Sequence, residues 1–159
     1  MGPLLLAATA RGLYRVHFGA QIVNPEDSEQ EWIECAEELA ECKDQLRRYF
    51  CGELHKFSLN LDLRGTKFQV RCWEALRHIP YGGTCTYADI AREVGRPRAF
   101  RAVGQANHHN PVAIIVPCHR VIGSNGTLTG YGGGLSVKEQ LLLLESRQLQ
   151  PAFAFSGGG

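Results

Sequence analysis

No apolar run in this 159-residue chain is long enough to cross a membrane. Residues 4–8, Leu-Leu-Leu-Ala-Ala, are too short and lack the basic flank of a secretory leader. Met1-Gly2 is followed by Pro3 and Leu6, which do not fit a myristoylation acceptor. Six cysteines, at 35, 42, 51, 72, 85 and 118, contain no C-x-x-C pair. These absences leave a reduced, cytoplasmic protein (nuclear in a eukaryote) with no membrane partner, no metal and no cofactor as the expectation. A strong overall charge is missing too, since 17 Lys+Arg face 16 Asp+Glu. The balance hides an asymmetry. Residues 1–62 carry 6 Lys+Arg against 11 Asp+Glu, and residues 63–159 carry 11 against 5. Only the second half is suited to meet a polyanion.

Residues 4–8 and 13–18 read as a hairpin around Thr9-Ala10-Arg11-Gly12, with Tyr14, Val16 and Phe18 alternating against Arg15 and His17. Asn24-Pro25-Glu26-Asp27-Ser28 is a turn cluster. A helix should follow it to about Phe50, because Cys35, Leu39, Cys42, Leu46 and Tyr49 recur at helical spacing. The two cysteines in that stripe read as small core residues ahead of a metal site. Phe57, Leu59, Leu61 and Leu63 alternate with polar residues and predict another strand. The class is therefore α/β (α+β): a small sheet-plus-helix lobe over 1–63, then a mostly helical lobe over 64–150. Residues 151–159 are expected to be a disordered tail.

Thr66-Lys67-Phe68-Gln69 has the form of a capping box and should open a helix that ends before Pro80-Tyr81-Gly82-Gly83. Thr86 should cap a helix over 87–94 that Gly95 stops, and a third helix should run over about 99–107. Two short helices joined by a Gly/Pro turn read as a helix-turn-helix, although such pairs also occur as plain packing units. Arg96, Arg98 and Arg101 gather at the N-terminal side of the later helix, where cations are disfavoured unless an anion such as phosphate binds there. Beyond Asn110-Pro111, the apolar run Ile114-Ile115-Val116 predicts a buried strand that Pro117 stops. That run delivers Cys118 with His119 and Arg120 beside it. A base and a positive charge are what turn a thiol into a nucleophile, although an inert core cysteine is the blander reading. A last helix should run over about 136–145, packing Val137, Leu141, Leu142 and Leu144.

Pro117-Cys118-His119-Arg120-Val121, preceded by Asn110-Pro111 and followed by Gly130-Tyr131-Gly132-Gly133-Gly134-Leu135, resembles the O6-alkylguanine-DNA alkyltransferases, the methylated-DNA–protein-cysteine methyltransferases. The likeness runs from about Thr66 to Glu145. It implies a ribonuclease H-like first lobe, and repair of DNA by a single, irreversible transfer of an alkyl group to Cys118 after the helix-turn-helix binds the minor groove and a guanine is flipped out. On that resemblance His119 acts on Cys118 through a water, Glu145 orients His119, and Asn110 braces the cysteine turn. Tyr131 donates a proton to the leaving guanine. Pro117, Val121, Tyr131, Gly132 and Gly133 form the base pocket. Arg101 fills the gap left by the flipped base, Tyr87 presses on its phosphate, and Arg96, Arg98, Ala102 and Gln105 complete the DNA surface. Phe100 and Gly132 stand where relatives often carry a small residue and a serine. The implied partner is double-stranded DNA containing alkylated guanine, with O4-alkylthymine a further substrate, met by a monomer that clusters on DNA. A lesion-binding relative without chemistry, a helix-turn-helix regulator and a cysteine hydrolase are the competing readings. The first of these lacks the reactive cysteine, which Cys118 supplies here.

Overall fold

The computed structural model describes residues 1–19, 34 and 36–149. β1 (Leu4–Thr9) and β2 (Gly12–Phe18) form an antiparallel hairpin, with Leu6 opposite Val16 and an irregularity between Ala7 and Ala8. Val16 faces the core and is almost fully buried. The helix expected from residue 28 onward is shorter in its described part: 36–39 are turns, and α1 spans Ala40–Phe50. The turn cluster at 24–28, Cys35 and the tail at 151–159 lie outside the described residues. The remaining stripe residues, Leu39, Cys42, Leu46 and Tyr49, do pack into the core. Burial lifts the Cys42 thiol to about 11, as suits an inert core residue.

The expected strand over 57–63 is reduced to one bridge between Leu13 and Leu61. Leu13 donates to the Asn60 carbonyl at 2.8 Å and accepts from the Asp62 amide at 2.8 Å. Gly12 must be glycine for this approach, since a Cβ there would lie 2.4 Å from the Asn60 oxygen. Ser58 gives its amide to the Gln45 side chain at 2.9 Å instead of to a ladder. The alternation holds over 57–61 without a regular strand and breaks at Asp62, which is buried and bonded to Thr9 and Arg64.

In the second lobe the helix signals held. α2 (Lys67–Leu76) opens with a complete Thr66/Gln69 capping box, and α3 (Tyr87–Glu93) opens with a Thr86/Asp89 box. α4 (Phe100–His108) completes the helix-turn-helix, and α2, α3 and α4 pack on one another. Trp73, fully buried, donates its indole N–H to the Ala106 carbonyl at 2.8 Å and so ties α4 to α2. β3 (Cys85–Thr86) and β4 (Val121–Ile122) make a short parallel pair that joins the start of α3 to the segment after Cys118. α5 (Leu135–Leu149) closes the fold. No helix among the described residues is long and apolar enough to cross a membrane.

The buried strand expected at 114–116 is instead a tight turn. Val112 pairs at one point with Val16, Ala113 bridges Val116, and Ile114 adopts φ 73. It is the non-glycine residue with positive φ among those described. The run is apolar because it is enclosed, not because it is extended, and periodicity does not separate those cases over so few residues.

Thr66→Ala and Thr86→Ala should each lower the unfolding free energy by about 1 kcal/mol, the usual worth of an N-cap. The caps share no hydrogen-bond partner, so urea titration of the double variant should give close to the sum.

Candidate active site and nucleic-acid interface

Cys118 opens a 3-10 turn, Cys118–Arg120, placed directly after the strained turn. Asn110 holds both together. Its Oδ1 accepts from the Val112 amide at 3.0 Å, while its Nδ2 donates to the Val116 carbonyl at 2.8 Å and to Cys118 Sγ at 3.1 Å. The hairpin of the first lobe grips the same segment. Val16 donates to the Pro111 carbonyl at 2.9 Å and accepts from the Ala113 amide at 3.0 Å. Strain of the kind stored at Ile114 persists only where neighbours over-determine the backbone, and Asn110 and Val16 do so here.

The Cys118 thiol is buried, and burial raises its pKa. The hydrogen bond from Asn110 and the charge of Lys138 work the other way. The expectation that Arg120 supplies the activating charge is corrected. Arg120 turns away, donating through Nε and Nη2 to Glu145 at 3.0 and 2.9 Å and through Nη1 to the Ile79 carbonyl at 2.7 Å. The resting group is therefore a neutral thiol that must lose its proton during reaction.

His119 follows Cys118 in the same turn. It is fully buried, with Nε2 at 2.8 Å from Glu145 Oε1. A carboxylate only accepts, so Nε2 carries the hydrogen and the neutral ring presents its lone pair at Nδ1. Burial lowers the His119 pKa and keeps the ring neutral. Nδ1 has no protein partner. Glu145 is equally buried and accepts also from Tyr49 OH at 2.7 Å and the Gly82 amide at 3.2 Å. Burial opposes its charge, but the hydrogen bonds from His119 and Arg120 prevail and hold it well below the usual carboxylate range.

Tyr131 stands in the glycine-rich segment with its hydroxyl buried and without a partner, and its ring meets Phe18 edge-on at 6.1 Å. Burial raises its pKa, and the neighbouring Cys118 adds to the rise. Gly133 has no room for a side chain, since a Cβ would lie 2.7 Å from the Phe18 ring, whereas Gly132 is exposed with open space around it. Pro117 and Val121 are buried against the core. Val121 gives its amide to the Cys118 carbonyl, and its own carbonyl accepts from Lys138 Nζ at 2.6 Å.

Lys138 escaped the sequence reading, and Tyr49 and Gly82, read there only as a core residue and a turn residue, prove to be donors to Glu145. Lys138 is fully buried on α5 and also donates to the Thr129 carbonyl at 3.0 Å, joining β4 to the glycine-rich segment. The stripe Lys138, Leu141, Glu145 is the buried face of α5, and two of its three members are charged. A lysine at helical spacing with an apolar stripe was the available signal, and it reads equally well as surface.

Two sequence families match. The DNA-binding domain of 6-O-methylguanine DNA methyltransferase covers residues 67–147, and the ribonuclease-like domain of the same protein covers residues 1–63. A methylated-DNA–protein-cysteine methyltransferase of Methanosarcina acetivorans is 52% identical over 147 residues, 91% of this chain and 92% of that one. One of Mycobacterium tuberculosis is 52% identical over 145 residues, 91% and 87% of the two chains. A crystal structure of the Mycobacterium tuberculosis protein in complex with DNA superposes with TM-score 0.85 at 50% identity, covering 95% of this chain and 90% of that one. The chain belongs to the 6-O-methylguanine DNA methyltransferase family.

In this member the helix-turn-helix presents an exposed face made of Phe100, Arg101, Ala102 and Gln105 from α4. α2 and α3 have capping boxes, but the N-cap of α4, Ala99, makes no side-chain bond. Arg96, Arg98 and Arg101 are exposed around that helix start. Arg96 also lies over the Phe68 ring at 5.8 Å. A cleft of about 480 Å³ separates α4 from Thr129-Gly130, and Tyr87 lines it while bonding Thr129 Oγ1 at 2.8 Å. Among the described residues no group of three or more His, Cys, Asp or Glu is placed to hold a metal.

Glu145→Gln should cost about 3–5 kcal/mol, because Arg120 would keep a buried charge without its counter-charge; urea denaturation at neutral pH reads it. The folded pKa values of His119 and Glu145 lie below their ordinary 6.5 and 4.5. The unfolded chain therefore binds more protons, and the stability both groups confer is complete only above about pH 6.5. Acidification should remove the His119 part first and the Glu145 part below about pH 4.5. In His119→Asn the fall in urea midpoint between about pH 7 and pH 5.5 should shrink.

Proposed function

We propose that this chain repairs DNA directly, moving an alkyl group from O6 of guanine to Sγ of Cys118 once per molecule. The observation that carries the reading is the grouping of a buried thiol, a neutral histidine fixed by Glu145 and an unpartnered Tyr131 hydroxyl in a member of this family. In the step, Sγ attacks the alkyl carbon, an S–C bond forms, and the C–O6 bond breaks. The thiol proton passes through a water to His119 Nδ1, and Glu145 stabilises the imidazolium. Negative charge develops on the departing guanine, and the Tyr131 hydroxyl supplies it with a proton. The alkylated sulfur is a thioether that nothing in the site can cleave, which makes the reaction stoichiometric.

The substrate is double-stranded DNA, because the reacting atom lies within the stack and the α4 surface is built for phosphate. Arg101 fills the position of the flipped base, its planar cation stacking where a base was. Tyr87 presses on the turned phosphate, Arg96 and Arg98 hold the backbone, and Ala102 and Gln105 sit against the groove. Pro117, Val121, Gly132 and Gly133 enclose the guanine beside Tyr131. Residues 64–150 carry DNA binding and chemistry, and residues 1–63 buttress them. The protein acts as a monomer in the compartment that holds the DNA, clustering along it when crowded. A lesion-binding role without chemistry would leave Cys118 and its relay without use.

Intact-protein mass spectrometry after incubation with a duplex containing one O6-methylguanine should show one added methyl group, mapped to Cys118 and saturating at one per protein. Tight binding with no mass change would transfer the chain to the lesion-binding class. Cys118→Ala should abolish transfer and keep DNA affinity within about tenfold, since the thiol contacts no phosphate. Arg101→Ala should weaken capture of the lesion duplex more than Cys118→Ala does, as read by fluorescence anisotropy.

A further inference from the structure

The exposed face of α4 contains a residue that neither the chemistry nor phosphate binding uses. Phe100, the first residue of the helix, is 46% exposed. Single exposed apolar side chains are ordinary, but three features set this one apart. It stands between Arg98 and Arg101 in the sequence, an apolar ring among exposed cations. The Arg101 guanidinium carbon lies 6.0 Å from the Phe100 ring centroid, so the ring contacts the side chain assigned to fill the vacated stack. Phe100 also forms one wall of the cleft with Tyr87, Gly104, Gln105 and Thr129. One turn further along, Gly104 carries no side chain that could hold the ring away from a partner.

We propose that Phe100 is an apolar wedge, a positioning residue that enters the base step beside the flipped nucleotide and acts together with Arg101. Proteins that dock in a narrow groove commonly drive an apolar side chain between bases, exchanging lost base stacking for contact with the wedge. A cation alone fills the vacated position but leaves the neighbouring base edge to water. A phenyl ring beside it covers that edge, removes its own exposed surface, and slows return of the guanine to the stack. The contribution is to the lifetime of the flipped state, not to alkyl transfer itself. The inference rests on the repair reading and goes beyond it.

The test separates flipping from chemistry. Transfer rates for wild type, Phe100→Ala and Phe100→Leu would be compared on an O6-methylguanine duplex and on free O6-benzylguanine, which needs no flipping. The ratio of duplex rate to free-base rate should fall about tenfold in Phe100→Ala and be largely restored in Phe100→Leu. Fluorescence of 2-aminopurine placed next to the lesion should report unstacking with wild type and lose most of that change with Phe100→Ala. Equal loss on both substrates would assign Phe100 to the base pocket or the fold and overturn the wedge, as would no loss on either. Wild type that alkylates on neither substrate would instead refute the repair reading, and the wedge with it.

Discussion

The Glu145 carboxylate is the point on which the remainder of the molecule depends. It accepts from His119, Arg120, Tyr49 and Gly82, groups that come from the cysteine turn, α1 and the loop after α2. A buried carboxylate is tolerable only with such a set of donors, and each donor is in turn fixed by it. The same charge orients the His119 ring, satisfies the buried Arg120 and anchors Tyr49 of the first lobe. Catalytic geometry and fold stability are therefore one interaction, and neither can be altered alone.

The thiol is held in tension against this frame. Burial keeps it protonated, while Asn110 and Lys138 favour the thiolate. The first lobe contributes by position, not by chemistry: Val16 pins the segment before Cys118, and Phe18 leaves space at Gly133 for no side chain. Residues of the N-terminal hairpin thus shape the surroundings of Cys118 and Tyr131.

α4 differs from the two helices before it: its start has no side-chain cap, and its exposed face carries Phe100 and Arg101, with Arg96 and Arg98 exposed just ahead of it. α2 and α3, by contrast, are each sealed by a capping box. Lys138 links the two regions, since its donation to Val121 and Thr129 ties the strand after the cysteine to the segment bordering the DNA cleft.

Local signals in the sequence were sufficient for the hairpin, for the starts of α2 and α3, and for the helix-turn-helix, because caps and periodicity act within a few residues. Cys118, His119 and Asn110 were also legible, lying in one short motif. What sequence could not decide was anything set by distant contact. The run at 114–116 became a turn because Ile115 and Val116 give their amides to the Ala113 and Val112 carbonyls, while Asn110 caps the Val116 carbonyl and Val16 holds the flanking Pro111 and Ala113. The stretch 57–63 stayed irregular because Gln45 and Leu13 took theirs. Arg120, beside Cys118 in sequence, reached Glu145 instead of the thiol, while Lys138, twenty residues later and unread in the sequence, favours the thiolate by its charge. Chemistry was written in residue type and spacing; which charge faced which group was decided by packing, where burial makes each unpaired charge too costly to leave.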